Sequence, residues 1–317
     1  MAGIILGAIT MTFKSQHDSS LVQEQVTAMQ QNLRAAMFMI TRDVQMAGYY
    51  TNFDTATYDM DWDDGDGDND PATGTENIQP LIFGKDNVND GGGDNITDHS
   101  DVIVIVKASD EGRAMDPGES ADGNTISLAD LDLDNDGDDD FDFPARGYGL
   151  LVKQDLSAAD FFRINAITGS TLTTRAALAE TYEPGDRIFR ADVIIYRVDN
   201  EDDPGNPDDN DDPTNPKLRR KNLGQNSGFQ PVAEGMDQLQ FRYLLHSGVW
   251  VSDPAGNEAN VRAVEVFLLA RTHGPVKGYW DDNTYAMDNG PYNNNPPNDP
   301  YRRKLLSNII RTRNIGL

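Results

Sequence analysis

The first 48 residues of the chain carry an uninterrupted helical pattern, and this pattern constrains how the rest can fold. They contain no proline, and before Gly48 their glycines are Gly3 and Gly7. Apolar side chains recur every three or four residues, the spacing of one face of an α-helix. The predicted packing face comprises Val22, Val26, Met29, Leu33, Met37, Ile40 and Val44. Such a helix would be roughly 70 Å long, longer than a small domain is wide. We therefore expect part of it to contact something outside its own globular domain.

Residues 1–13 contain no charged side chain, and Lys14, His17 and Asp18 then follow close together. A membrane-spanning helix needs about 20 apolar residues, so this segment is too short to cross a bilayer alone. It could be a shortened membrane anchor, a buried core helix or a signal peptide. A signal peptide would begin with positive charge and end at a cleavage site of small residues, whereas here the helical pattern continues unbroken. The sequence favours a membrane or filament-core anchor that leads into a domain.

The net charge is strongly negative, with 53 acidic and 26 basic residues and a formal charge of −27. Residues 54–142 alone hold 27 acidic residues against Lys85, Lys107 and Arg113. The acidity therefore belongs to one segment and not to the whole fold. Such a field repels nucleic acid and anionic membrane surfaces, which excludes nucleic-acid binding, and it attracts cations.

Residue patterns typical of catalysis are missing from the sequence. The absence of cysteine removes disulfides, thiolate metal sites and cysteine nucleophiles. The four histidines are scattered, with no HExxH motif, no serine lies in a GxSxG turn, and there is no P-loop. We therefore predict that the protein is not an enzyme.

The remainder of the chain predicts an antiparallel sheet interrupted by acidic loops. The first convincing strand is 101–107, and the clearest is 238–245, where apolar and polar residues alternate with the period of a half-buried strand. Residues 201–215 and 274–300 are rich in proline, asparagine and aspartate and predict loops. Further strands are predicted at 149–153, 161–167, 171–174, 187–198, 261–271 and 305–313.

These patterns predict an α+β fold in which a long N-terminal α-helix packs on an antiparallel β-sheet, with large acidic loop insertions. We divide the chain into three parts. Residues 1–50 form the helix, with an apolar anchor at 1–13 and an amphipathic part at 14–50. Residues 51–147 form an acidic Asp/Gly-rich region with one strand near 101–107, and residues 148–317 form a β-rich globular domain.

Two aspartate-rich stretches have the spacing of calcium loops, in which oxygen ligands alternate along the chain and a glycine permits the sharp turn. The stronger one is followed by Phe143 where an EF-hand loop needs a bidentate glutamate, so it would be a free-standing loop; a solvated acidic loop is the alternative. Its predicted calcium ligands are Asp132, Asp134, Asp136, Asp138 and Asp140. The weaker stretch offers Asp64, Asp66, Asp68 and Asp70, whose mutual repulsion equally predicts disorder without cations.

Several segments resemble a known family. Residues 22–50, VQEQVTAMQQNLRAAMFMITRDVQMAGYY, are similar to the N-terminal helix of type IV pilus minor pilins of the PilW group. Residues 231–245, 261–271 and 301–317 resemble that family's closing strands. The family's basic leader and its glutamate-containing opening have no counterpart here, so we expect the insertion and processing signals to lie outside the sequence given.

The resemblance implies a non-enzymatic filament subunit that primes pilus assembly or lies at the tip. Its implied partners are major and minor pilins, bound through the N-terminal helix, and a tip adhesin. It would lie in the inner membrane and periplasm before assembly and then in an extracellular pilus of a Gram-negative-type bacterium. The alternatives are a J-type pseudopilin of type II secretion, which shares the helix and fold, and a calcium-dependent, adhesin-like surface module for which the helix is only a tether.

Overall fold

A computed structural model describes residues 2–48, 82–88, 100–129, 147–199, 215–223, 228–254, 256–288 and 290–315. Its first element is one helix, α1 (Ala2–Met46). Gly48 lies just after the last helical residue, and its φ of 74° is the left-handed conformation that glycine adopts readily after a helix. The Gly48 amide donates to the carbonyl of Val106 at 2.9 Å, so the helix end is joined to the sheet beneath it.

Fourteen strands follow within the described residues. They are β1 (Ile82–Val88), β2 (Ser100–Ala114), β3 (Ser120–Asp122), β4 (Thr125–Ser127), β5 (Tyr148–Val152), β6 (Ala159–Thr168), β7 (Thr171–Thr174), β8 (Arg187–Asp199), β9 (Lys217–Asn222), β10 (Gln230–Glu234), β11 (Met236–Leu245), β12 (Trp250–Val251), β13 (Val261–Arg271) and β14 (Arg303–Arg311). A short 3-10 turn, Glu258–Asn260, precedes β13.

The strands form two antiparallel sheets. Ten described strands make the first, in the order β1-β2-β8-β5-β6-β7-β4-β3, with β9 added beside β8 and β10 beside β9. The second has the order β12-β11-β13-β14. One long helix followed by antiparallel sheets confirms the predicted α+β, pilin-like fold class.

The region 51–147 has more regular structure than the sequence predicts. The pattern indicates one strand there, near 101–107, but the described part of this region contains β1, β2, β3 and β4. The sequence pattern does not predict β1, because this strand carries only two apolar residues before its first glycine. It does not predict β3 or β4, because each is only three residues long. Strands from both sides of residue 147 share the first sheet, since β2 pairs with β8.

The two sheets are joined through side chains where their ladders do not meet. The Ser100 hydroxyl accepts from the Leu239 amide at 3.1 Å, and the Asp101 carboxylate accepts from the Phe241 amide at 2.6 Å. These two residues at the start of β2 satisfy backbone donors of β11 that would otherwise be buried without partners. The sheets therefore present a combined surface to α1.

The main core lies between α1 and this combined surface. Alternation along β2 directs Ile103 and Ile105 into it, while Val102, Val104 and Val106 belong to a second cluster. Other sheet residues of the main core include Ile194, Tyr196 and Val198 from β8, Leu239, Phe241 and Tyr243 from β11, and Val264, Val266 and Leu268 from β13.

Candidate assembly surface on the N-terminal helix

The predicted packing face of α1 faces the main core. Met29, Leu33, Met37, Ile40 and Val44 are buried in it. Val26 packs against the same core half-buried, and Val22 is also half-buried. The opposite face of the helix is polar and exposed, and it carries Gln23, Gln30, Arg34 and Arg42. Burial therefore increases along the helix toward its C-terminal end.

A buried carboxylate anchors this half of the helix. Asp43 accepts a 2.6 Å hydrogen bond from the Tyr196 hydroxyl and a 2.9 Å bond from Arg220 Nε. Burial and the neighbouring Asp43 carboxylate together raise the pKa of Tyr196 well above its ordinary value. Burial alone would lower the pKa of Arg220, but the attraction of Asp43 outweighs it and raises that pKa. The Tyr196 phenol and the Arg220 guanidinium therefore keep their protons at neutral pH, and both donate to Asp43.

Two further polar contacts tie α1 to the sheets. The Asn32 amide group donates to the carbonyl of Glu234 at 3.2 Å, between β10 and β11. Near the helix end, the Asn308 amide group on β14 donates to the Thr41 hydroxyl at 3.3 Å. Together with Asp43 and Gly48, these contacts fix the orientation of the helix relative to both sheets.

The N-terminal half of α1 is different, because its described side chains extend away from the sheets. Met11 is 76% exposed and Phe13 is 67% exposed, and Leu6 and Ile9 are exposed as well. The exposed apolar residues of this half continue to Leu21, and the C-terminal half adds Phe38 and Met39 on its exposed side. Large apolar side chains that follow one another on a surface mark an interaction site. Within the described residues, no helix has a stretch both long and apolar enough to cross a membrane.

The predicted calcium ligands Asp64, Asp66, Asp68, Asp70, Asp132, Asp134, Asp136, Asp138 and Asp140 lie outside the described residues. Calcium binding therefore stays a prediction. Among the residues that the structure does describe, no group of three or more His, Asp or Glu side chains is arranged to hold a metal ion.

A second buried ionic cluster, which the sequence did not suggest, closes the loop before β14. The guanidinium of Arg303 is fully buried and contacts Asp237 and Asp299 at 2.6 Å and Asp281 at 3.3 Å. The Tyr285 hydroxyl also donates to Asp281, at 2.8 Å. From sequence alone, Arg302, Arg303 and Lys304 suit the solvent face of an edge strand, where charges discourage aggregation. In the structure, Arg303 instead holds Asp281 and Asp299 against the second sheet.

This cluster favours the ionised form of two of its carboxylates, Asp281 and Asp299. Burial of Asp299 favours its neutral form, but the hydrogen bonds from Arg303 outweigh burial and lower the pKa of Asp299. The pKa of Asp281 is likewise lowered, because hydrogen bonds from Asn283, Tyr285 and Arg303 outweigh its burial. We interpret the cluster as structural, because its guanidinium and carboxylate groups bind one another. We find no feature in it that would act on a substrate.

A comparison with known families finds a match in the part of the chain that contains most of these contacts. Residues 196–314 match the family described as type IV pilus-assembly protein W. The chain is PilW-like. The resemblance predicted from the sequence is therefore confirmed. The matched segment, residues 196–314, begins at Tyr196, the partner of Asp43, and includes the residues of the Arg303 cluster.

Solved structures give weaker likenesses than the PilW match. A type IV-like pilin from Thermus thermophilus is 12% identical, with 90% of this chain and 97% of that chain covered and a TM-score of 0.40. The tailspike protein gp49 from Pseudomonas phage LKA1 is 21% identical, with 25% and 14% covered and a TM-score of 0.18. Neither likeness is close enough to support an inference about this chain. A search of curated proteins finds no match.

Proposed function

We propose that the chain is a non-enzymatic minor pilin of a type IV pilus, whose N-terminal helix packs among the helices of other pilins. The observation that carries this proposal is the division of α1. One half is buried on its own sheets, while the other half exposes Leu6, Met11 and Phe13. The PilW match and the pilin-like fold support the same function.

The exposed half also accounts for the proposed locations. Before assembly, the apolar residues 1–13 would lie in the inner membrane with the globular domain in the periplasm. In the pilus they would be covered by the helices of neighbouring subunits. This contact keeps the apolar side chains out of water when the subunit leaves the membrane. We further propose that the subunit primes assembly and remains at or near the tip, where its sheets face outward and a tip adhesin could bind.

Single-cysteine cross-linking tests the helix contact directly. The chain has no cysteine, so one introduced thiol is unique. Met11→Cys, combined with a cysteine in the helix of a co-expressed pilin, should give a disulfide-linked heterodimer in sheared pili. The control Val249→Cys replaces a residue that is 54% exposed but lies on the β11–β12 hairpin. It should give no such product. Pili that contain the subunit but yield no Met11→Cys cross-link would contradict the proposal.

Two further measurements test tip position and priming. Gold-labelled antibody against the globular domain should mark pilus ends and not shafts. Deletion of the gene should reduce the number of pili and not their average length, since a priming subunit acts once per filament. Label spread along the shaft would refute the tip location, and a normal pilus count would refute priming. Loss of exoprotein secretion with normal pili would instead favour the J-type pseudopilin alternative.

We also propose that the two aspartate-rich stretches bind calcium. Isothermal titration of the chain with Ca2+ should give a saturable heat, and Ca2+ should raise the melting temperature. Replacing Asp132, Asp134 and Asp136 by asparagine should remove the stronger component, because a hard cation needs the negative oxygen ligands. A titration without heat and without a gain in melting temperature would eliminate both sites.

A further inference from the structure

A pocket lies where α1 leaves the globular domain. It occupies about 320 Å3 and is lined on one side by the turns of α1 from Leu21 to Asn32. Its other walls are the β10–β11 turn at Glu234 and Gly235, the residue Asn215 before β9, and the end of β13 at Arg271 with His273 just beyond it. This volume falls at the lower end of the range of small-ligand sites. We call it the helix-exit pocket.

The walls of the helix-exit pocket are fixed by backbone contacts. Gly235 has a φ of 70°, and a Cβ there would lie 2.8 Å from the carbonyl oxygen of Arg271, so only glycine fits. The Arg271 amide donates to the Gly235 carbonyl at 2.8 Å. On the opposite side, Asn32 holds the Glu234 backbone to the helix. The shape of the pocket is therefore set by the same contacts that orient α1.

Two carboxylates, Glu24 and Glu234, lie among the side chains around the pocket. Glu24 and Glu234 have no ion-pair partner among the described residues, and both are exposed at the pocket walls. Arg271 is the cation of the pocket, but it already contacts Asp237 at 3.3 Å and lies over the ring of Tyr301. The two carboxylates thus leave the pocket with negative charge.

A buried amide provides a second and independent sign of a ligand. Asn215 lines the pocket and is only 8% exposed, yet its Oδ1 has no hydrogen-bond partner among the residues that the structure describes. Within the same described residues, Gln25 Oε1 in the facing wall is also buried without a partner. An unpaired buried amide oxygen destabilises the folded chain, and a ligand N–H that bonds to it removes that cost.

We propose that the helix-exit pocket binds a protonated amine or guanidinium group. Such a group combines a positive charge for Glu24 and Glu234 with several N–H donors for Asn215 and Gln25. An anion or a neutral acceptor would meet repulsion or leave the amide oxygens unpaired. The group can come from a free small amine or from a lysine or arginine side chain of a neighbouring subunit, and the test below separates these sources.

The test titrates the full chain with butylguanidinium and follows backbone amide shifts by NMR at physiological salt, which screens the acidic segments. The matched neutral probe is butylurea, which has nearly the same shape and no charge. Butylguanidinium should shift the amides of Gly235 and Arg271 in a saturable way, and butylurea should bind at least tenfold more weakly, as expected for loss of one charged hydrogen-bonded pair. No saturable shift with butylguanidinium would overturn the proposal.

Three variants separate the pocket from general acidity. Glu24→Gln with Glu234→Gln should weaken binding at least about tenfold. Ala28→Phe, a change at an exposed pocket residue of α1, should block it sterically. The charge-matched control, Asp18→Asn with Asp282→Asn, alters carboxylates outside the pocket and should bind normally. An equal loss in this control would show that the cation binds the acidic surface diffusely, and the proposal would fail.

Sedimentation velocity on the same samples identifies the source of the group. If butylguanidinium dissociates assemblies of the chain, the natural occupant is a basic side chain of a neighbouring copy. If it binds without changing the sedimentation coefficient, the pocket takes a free amine. Either result is compatible with a pilin, so failure of the pocket proposal would leave the proposed function untouched.

Discussion

The two halves of α1 share one continuous backbone and have opposite surroundings. In the C-terminal half, Met29, Leu33 and Ile40 share an apolar face that lies in the main core, while Phe38 and Met39 outside that face are exposed. Asp43 is hydrogen-bonded to two strands of the first sheet. Residues before Leu21 place apolar side chains of the same kind in solvent. The comparison teaches that apolar character alone does not say what a helix face contacts. The C-terminal half is stabilised by its own fold, and the N-terminal half is available to another molecule.

The largest expected difference between the halves is in core packing. Ile40→Ala removes a fully buried side chain between α1 and the sheets, and should lower the free energy of unfolding by about 2–5 kcal/mol. Leu6→Ala, the matched change in the exposed half, should alter it by less than about 0.5 kcal/mol. Urea unfolding followed by circular dichroism measures both. Equal effects would mean that the N-terminal half is also buried in the isolated chain.

A smaller effect is expected from the buried carboxylate. Asp43→Asn removes the charge that faces Arg220 and should lower the free energy of unfolding by roughly 1–3 kcal/mol. Tyr196→Phe deletes one hydrogen bond to the same carboxylate and should cost about 0.5–1.5 kcal/mol. Urea unfolding of the two single variants and the double variant gives the coupling energy. Strict additivity would show that Asp43 does not act through Tyr196.

The contrast between Asp43 and the apolar residues around it shows what the sequence can predict. The helix, the sheet strands and the packing face follow from local periodicity, which is visible in one window of sequence. Asp43 lies within the predicted apolar face, between Ile40 and Val44, and this break in the pattern was the one available signal. Its partners are 153 and 177 residues away, so no local pattern could name them.

The sequence did not predict the Arg303 cluster, for the same reason. Basic residues near the end of the chain predict an exposed edge strand, and Lys304 and Arg311 are indeed exposed. Arg303 is fully buried because Asp237, on a strand 66 residues earlier, and the Asp281–Asp299 loop converge on it. Burial of a charge depends on tertiary contacts, and composition does not report them. The helix-exit pocket is likewise formed by segments far apart in the chain.

Acid should weaken the sheet under the buried half of α1 before it affects the exposed half. The pKa values of Asp281 and Asp299 are lowered in the folded state, so their stabilisation is complete above about pH 4 and is lost as the pH falls through the folded values. Thermal unfolding between pH 5 and pH 2 measures the loss. Asp299→Asn should show a shallower decline than the parent chain, by on the order of 1 kcal/mol. Identical slopes would contradict a role for Asp299.

The smallest expected effect sharpens the comparison most. Deleting residues 1–20 removes side chains that, where described, lie outside the main core. The free energy of unfolding should therefore change by no more than about 0.5 kcal/mol, since no cap, core contact or ion pair is lost. In the same preparation, loss of the exposed apolar residues should abolish incorporation of the subunit into pili and lower self-association measured by light scattering. A shortened chain that folds normally but no longer assembles would show that the two halves of one helix serve separate purposes. A shortened chain that is destabilised by several kcal/mol would instead show that the exposed half contributes to the fold, because such a loss requires buried contacts.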